Sequence, residues 1–148
     1  MSKQKAKKDR IAKYLQDLNG GILFDELSDK YLKEAGVLEI LRGVPVPISA
    51  GVGDELTTLT IAYGMARVIG ADTNFEYKDK YIAYIKHLFG DDASKALIAE
   101  GAKYGQSGNY ELATMFFRAV LLFDPKSQDA LYLYGRACKD AYELNNED

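Results

Sequence analysis

Gly64, Gly101 and Gly135 stand 37 and 34 residues apart, each at the same place in a similar apolar helix pattern. A glycine inside a helix costs about 1 kcal/mol relative to alanine, so its recurrence needs a physical reason. Close packing supplies one, because a missing Cβ lets a neighbouring helix approach. Self-similarity at this period marks a stack of helix pairs, and it predicts an all-α, right-handed solenoid of about 6–7 helices.

The middle copy carries the pattern most fully. Leu97, Gly101 and Tyr104 share one stripe of a helix expected over Ser94–Gln106, since residues three and four apart lie on the same face. Ala113 on the following helix is the expected facing residue for Gly101, a small pair where two antiparallel helices cross. Between them, Gln106-Ser107-Gly108-Asn109 supplies turn chemistry, with Gly108 free to take positive φ and Asn109 a preferred N-cap. Phe116, Phe117, Val120, Leu121 and Phe123 form a face that must be buried. Asp124-Pro125 ends that helix, because proline disfavours helical geometry in the residue before it. Ser127 then caps a helix over Gln128–Leu144, with Asp129 near its positive end.

Leu97, Gly101, Tyr104, Gly108, Tyr110, Ala113, Phe117 and Pro125, in that order and spacing, closely resemble the tetratricopeptide repeat, a helix–turn–helix unit of about 34 residues. Leu131, Tyr134 and Gly135 resemble the first helix of a further unit, in which Cys138 replaces the usual aromatic. Thr57–Gly70 and Glu76–Phe89 resemble a degenerate earlier pair that lacks the small alanine and the closing proline. The resulting division is an N-terminal helical extension with a Pro/Gly loop over residues 1–53 and a repeat-like region over 54–148. Within that region lie a degenerate pair (54–91), a clear repeat (92–127) and a terminal helix (128–145).

The N-terminal third has fewer signals. Residues 3–18 hold six basic and two acidic side chains, with Ile11, Tyr14, Leu15 and Leu18 at helical spacing, and Asn19-Gly20-Gly21 breaks the segment. Ile22 to about Leu41 reads as one or two helices that bury Leu23, Phe24, Leu27, Tyr31 and Leu32. Two prolines at alternate positions force Arg42–Pro47 into an extended path, followed by a loop to Asp54, an N-cap candidate. The run Val44–Val52 is unusually apolar for a surface connection, so part of it is expected to pack against protein.

Composition bounds the function. The 148 residues are 47% apolar, enough for one domain with a continuous core. A net charge of −3 argues against generic nucleic-acid binding, and no apolar run reaches the roughly 18 residues a membrane span requires. The single cysteine, Cys138, excludes an internal disulfide framework and fits a reducing, cytoplasmic setting. His87 has no histidine or cysteine near it in sequence to build a metal site or a catalytic pair; it reads as a helix-end residue beside Gly90. Gly101-x-x-x-Gly105-x-x-Gly108 lacks the strand and lysine of a phosphate loop, so helix packing explains it better. The small-residue run Ser49–Gly53 reads as a flexible connection, and Asp91-Asp92, Glu143, Glu147 and Asp148 as solvated carboxylates. No catalytic residue, metal or cofactor is expected.

What the tetratricopeptide resemblance implies is a non-enzymatic scaffold or adaptor whose concave face binds a peptide segment of another protein. The residues offset from the packing stripe are then the candidate contacts: Ile61, Met65, Ile98, Ala102, Tyr132, Arg136 and Lys139. The groove they define is apolar at one end and aromatic and basic at the other, suited to apolar anchors and an acidic group. Ile98 and Ala102 stand where carboxylate-clamping members of the family carry lysine and asparagine, so that specialised activity is not implied. A second arrangement is structural: the N-terminal segment or a second copy fills the groove, as a homodimer or a self-filled module. The size and helical extension also resemble the small chaperones of bacterial secretion systems.

Overall fold

The computed structural model describes residues 15–48 and 57–145. Expectations for Ile11, Tyr14, Ser49–Gly53, Asp54, Glu147 and Asp148 lie outside them. The described chain is mostly helical. After helical residues 15–18 come β1 (Leu23–Asp25), α1 (Asp29–Glu34), α2 (Leu38–Leu41) and β2 (Val46–Ile48). Then follow α3 (Thr58–Ala71), α4 (Lys78–Phe89), a 3-10 turn (Gly90–Asp92), α5 (Ala93–Gln106), α6 (Tyr110–Phe123) and α7 (Gln128–Asn145). No described helix is long and apolar enough to cross a membrane.

Local chemistry sets the helix ends. Thr57 and Thr60 form a reciprocal cap on α3: the Thr60 amide donates to Thr57 Oγ1 at 3.1 Å and the Thr57 amide to Thr60 Oγ1 at 2.9 Å. Ser28 accepts from the Tyr31 amide, Asn109 from the Leu112 amide and Ser127 from the Ala130 amide, each satisfying an otherwise orphaned donor. Gly108 has φ 87°, which lets the chain reverse between α5 and α6 without a steric penalty.

Residues 22–25 depart from the helical expectation. Leu23–Asp25 is a strand, paired antiparallel with β2 in the register Leu23↔Ile48, Phe24↔Pro47 and Asp25↔Val46. Leu23 is 61% exposed, and Phe24 stacks on Phe75 at 6.1 Å instead of entering the core. Of the segment expected to be extended, Arg42 and Gly43 instead form a turn, with Gly43 at φ 73°, and the extended part is Val46–Ile48; Val44 and Val46 are buried. The Tyr81 hydroxyl donates to the Pro45 carbonyl at 2.6 Å, which fastens α4 to the residue leading into β2.

Helix α6 is the centre of the molecule. It packs against α3, α5 and α7, and α3 leans on α6 rather than on α5. The α3–α6 approach is extreme: a Cβ on Gly70 would lie 1.8 Å from the Met115 carbonyl oxygen. On the opposite side Gly101 sits under Phe117 and Phe116, with a built Cβ at 2.7 and 3.0 Å from them. The small pair expected between Gly101 and Ala113 is thus displaced by one turn, since Ala113 meets Gly105 at 3.9 Å. The short turn 107–109 fixes this register, setting residues near the turn opposite one another and Gly101 opposite the next turn of α6.

Two outcomes follow for stability. Gly70→Ala pushes two backbones apart and is expected to cost about 3 kcal/mol or more, whereas Gly135→Ala, with nothing within 4 Å of its built Cβ, should gain about 0.5–1 kcal/mol; urea denaturation of both variants checks the contrast. Burial pushes the Tyr81 phenol up and that of Tyr84 up to about 12. A raised folded-state value leaves stability intact below pH ~10, where the unfolded phenol is neutral, and removes it as pH climbs toward and through the folded value. Denaturation midpoints between pH 8 and 12 should therefore fall, and Tyr84→Phe should shallow that fall above pH ~10.

Candidate binding cleft

Both α5 and α7 run antiparallel to α6, and they touch each other only sparsely. Between them opens a cleft of about 390 Å³. Ala102, Gly105 and Gln106 form one wall, Leu133, Arg136, Ala137 and Asp140 the other, with Phe117 and Tyr110 of α6 between. The repeat period explains this meeting: Ala102 and Arg136 are 34 apart, as are Gln106 and Asp140. Phe117, Ala113 and Ala137 form one buried cluster beneath the opening, with Ile98, Tyr104, Leu133 and Tyr134 packed around it.

The cleft is apolar at its base and charged at one rim. Arg136 lies 4.0 Å from Asp140 one turn on, and its side chain is largely exposed. A hydrogen bond to Tyr132 and the nearby Asp140 carboxylate together raise its already high pKa. Lys139 pairs loosely with Glu143 at 3.9 Å. Across α6, Arg118 Nε donates to the Gly70 carbonyl and its Nη1 to the Tyr134 hydroxyl at 3.4 Å, so one side chain ties α3 to α7.

The residues singled out from sequence divide into four groups. Ala102 and Arg136 line the cleft. Tyr132 and Lys139, again with Arg136, border a separate depression on the outer side of α7, beside Leu131 and Gly135. Ile98 is half-buried, packed against the cluster under the cleft.

Ile61 and Met65 must be corrected: both are fully buried, and neighbouring Val68 is buried too. They belong to the main core together with Leu32, Leu41, Val44 and Val46 from the N-terminal segment. The apolar strand preceding α3 supplies the reason, and a Cβ on Gly64 would stand 3.1 Å from Pro47. Phe117, Leu133, Ala137 and Asp140 were not among the expected contacts. Sequence signalled them only through the 34-residue offset that pairs α5 with α7.

His87 lies exposed in the last turn of α4, away from the cleft. Cys138 is a half-buried free thiol whose pKa burial raises, with a hydrogen bond to Tyr134 and the charge of Arg118 pulling the other way. Among the described residues, no group of three or more His, Cys, Asp and Glu side chains is arranged to hold a metal ion. Comparison with known protein families, with characterised proteins and with solved structures finds no match to this chain.

Phe117 is both cleft floor and core, so Phe117→Ala should cost about 3–5 kcal/mol. A calorimetric melt of the variant within experimental error of the parent would contradict that placement.

Proposed function

We propose that this chain is a non-enzymatic protein-binding module, and that the α5–α7 cleft receives an extended or helical segment of another protein. One observation carries the reading: repeat-equivalent positions of two parallel helices converge on an apolar slot with a cation at its rim. Aliphatic or aromatic anchors fit against Phe117, Leu133 and Ala137, and a carboxylate fits Arg136, where it competes with Asp140. Apolar contact supplies affinity and the rim charge supplies orientation.

The same observations support a tetratricopeptide-like unit over residues 92–127 with the first helix of another after it. Gly101 lies under Phe117, α7 packs on α6 beside α5, and the offset is 34 residues. Upstream the support is weaker, because α3 leans on α6 and not on α5. The burial of Ile61 and Met65 beside Val44 and Val46 favours the self-filled arrangement for that end of the molecule. The adaptor role is accordingly confined to α5–α7. The free thiol of Cys138 fits a reducing, cytoplasmic setting.

Selection from a displayed random-peptide library tests this directly. Recovered peptides should share apolar anchors and an acidic residue, and Ala102→Arg should weaken their binding at least tenfold while leaving the circular-dichroism melt unchanged. Recovery of no binders, or binders indifferent to Ala102→Arg and Arg136→Glu alike, would remove the cleft as the site.

A further inference from the structure

Of residues 15–21, Leu15 alone is buried; Gln16, Asp17, Leu18, Gly20 and Gly21 are exposed. Leu15 packs with Ala71 and Met115 in a small cluster apart from the main core, with Leu112 beside it. Asn19 supplies the polar contact. Its side-chain amide donates to the Arg67 carbonyl at 3.0 Å, and Arg67 Nη2 donates to Asn19 Oδ1 at 3.1 Å. A segment held by so few buried groups opens locally, well before the whole chain unfolds.

The polar half of this contact is mismatched. Arg67 Nε is buried with no hydrogen-bond partner, and among the described residues no carboxylate pairs with the guanidinium. The positions three and four away on α3 are Tyr63, Gly64, Gly70 and Ala71, so its own helix offers it no acid. A neutral amide oxygen gives this cation one bond. A carboxylate would balance its charge and make bonds of about twice the strength.

Leu15 and Asn19 stand four positions apart, so one helical turn delivers an apolar and a polar side chain to the same side. We infer that residues 15–19 form a displaceable strap over a site on α3 and α6. The occupant that fits this site better is a helical segment of another protein with an apolar residue and, four positions on, a carboxylate. The strap itself shows the pose: the apolar residue enters the socket of Ala71 and Met115, and the acid meets Arg67. None of these residues lines the α5–α7 cleft, so the strap and the cleft can each fail without the other.

Hydrogen exchange of the full chain reads the opening. The amides of Asn19, Gly20 and Ile22, which donate within the segment, should exchange at least a hundredfold faster than those in the middle of α6. Asn19→Asp should slow them tenfold or more, and adding Arg67→Gln should abolish that gain. The occupant is tested by the anisotropy of a fluorescent peptide of residues 11–22 carrying Asn19→Asp. It should bind the Leu15→Ser chain at least tenfold more tightly than the parent chain, and tenfold more tightly than the same peptide without its substitution. Adding Ala102→Arg should leave that binding within twofold. The inference is overturned if the three amides exchange only with global unfolding, if Asn19→Asp leaves them unchanged, or if the peptide shows neither preference. Loss of peptide binding on adding Ala102→Arg would place the peptide in the cleft and overturn it too. So would a Leu15→Ser chain that fails to fold by circular dichroism, because Leu15 would then be indispensable core and no strap.

Discussion

The contact between α3 and α6 at Gly70 and Met115 fixes the rest of the molecule. Two backbones meet where even a methyl group would not fit, so α6 has no freedom to slide along or roll over α3. Arg118 reinforces the junction by donating to the Gly70 carbonyl, one of the last-turn acceptors that a helix end leaves without an internal partner. The same guanidinium reaches Tyr134 on α7. With α6 held on one side, its other faces position Phe116 and Phe117 under Gly101 and Ala113 near Ala137. The cleft is a consequence: α5 and α7 each lean on α6 and diverge from one another.

Polar groups inside the fold are specific to this arrangement. Glu100 is almost fully buried, and Lys103 approaches it at 3.1 Å. Tyr63 of α3 faces it, and burial followed by the Glu100 charge raises that phenol. A carboxylate in such a place is tolerated only with partners, so Tyr63 of α3 and Glu100 of α5 are held to one register. On the other side of α3, Arg67 donates through Nη2 to Asn19 Oδ1 at 3.1 Å, and the Asn19 amide returns a bond to the Arg67 carbonyl at 3.0 Å. Arg67 Nε is buried with no hydrogen-bond partner among the described residues. Burial lowers the pKa of that guanidinium, a cost that the Asn19 pair offsets while anchoring the N-terminal segment.

Legibility followed the range of the interaction. From Ala93 to Asn145 the ends and turns depend on neighbours in sequence, such as Asn109 with Leu112 and Ser127 with Ala130, and these were readable to within a residue. The crossing of α5 and α6 was misplaced by one turn because small residues were assumed to face small residues. In fact Gly101 makes room for an aromatic ring, and side-chain size alone does not specify which. Leu23 and Phe24 carry helix-like spacing with Leu27 and Tyr31, yet pairing with Val46–Ile48 overrode it. Ile61 and Met65 match the pattern of an open groove face. Their burial comes from Leu32, Leu41, Val44 and Val46 of the N-terminal segment, which no local signal on α3 reports.

The glycines show why a repeat can be read correctly and still mislead about function. Gly64 lies against Pro47, Gly101 against phenylalanine rings, and Gly135 against nothing within 4 Å. Recurrence at a similar place in each helix therefore records similar helix register, not equal surroundings. The closest approach of all belongs to Gly70, which stands outside the series. A mid-helix glycine without a neighbour forfeits about 1 kcal/mol relative to alanine, and at Gly64 and Gly101 that cost is repaid by packing within the chain. At Gly135 no contact among the described residues offsets it.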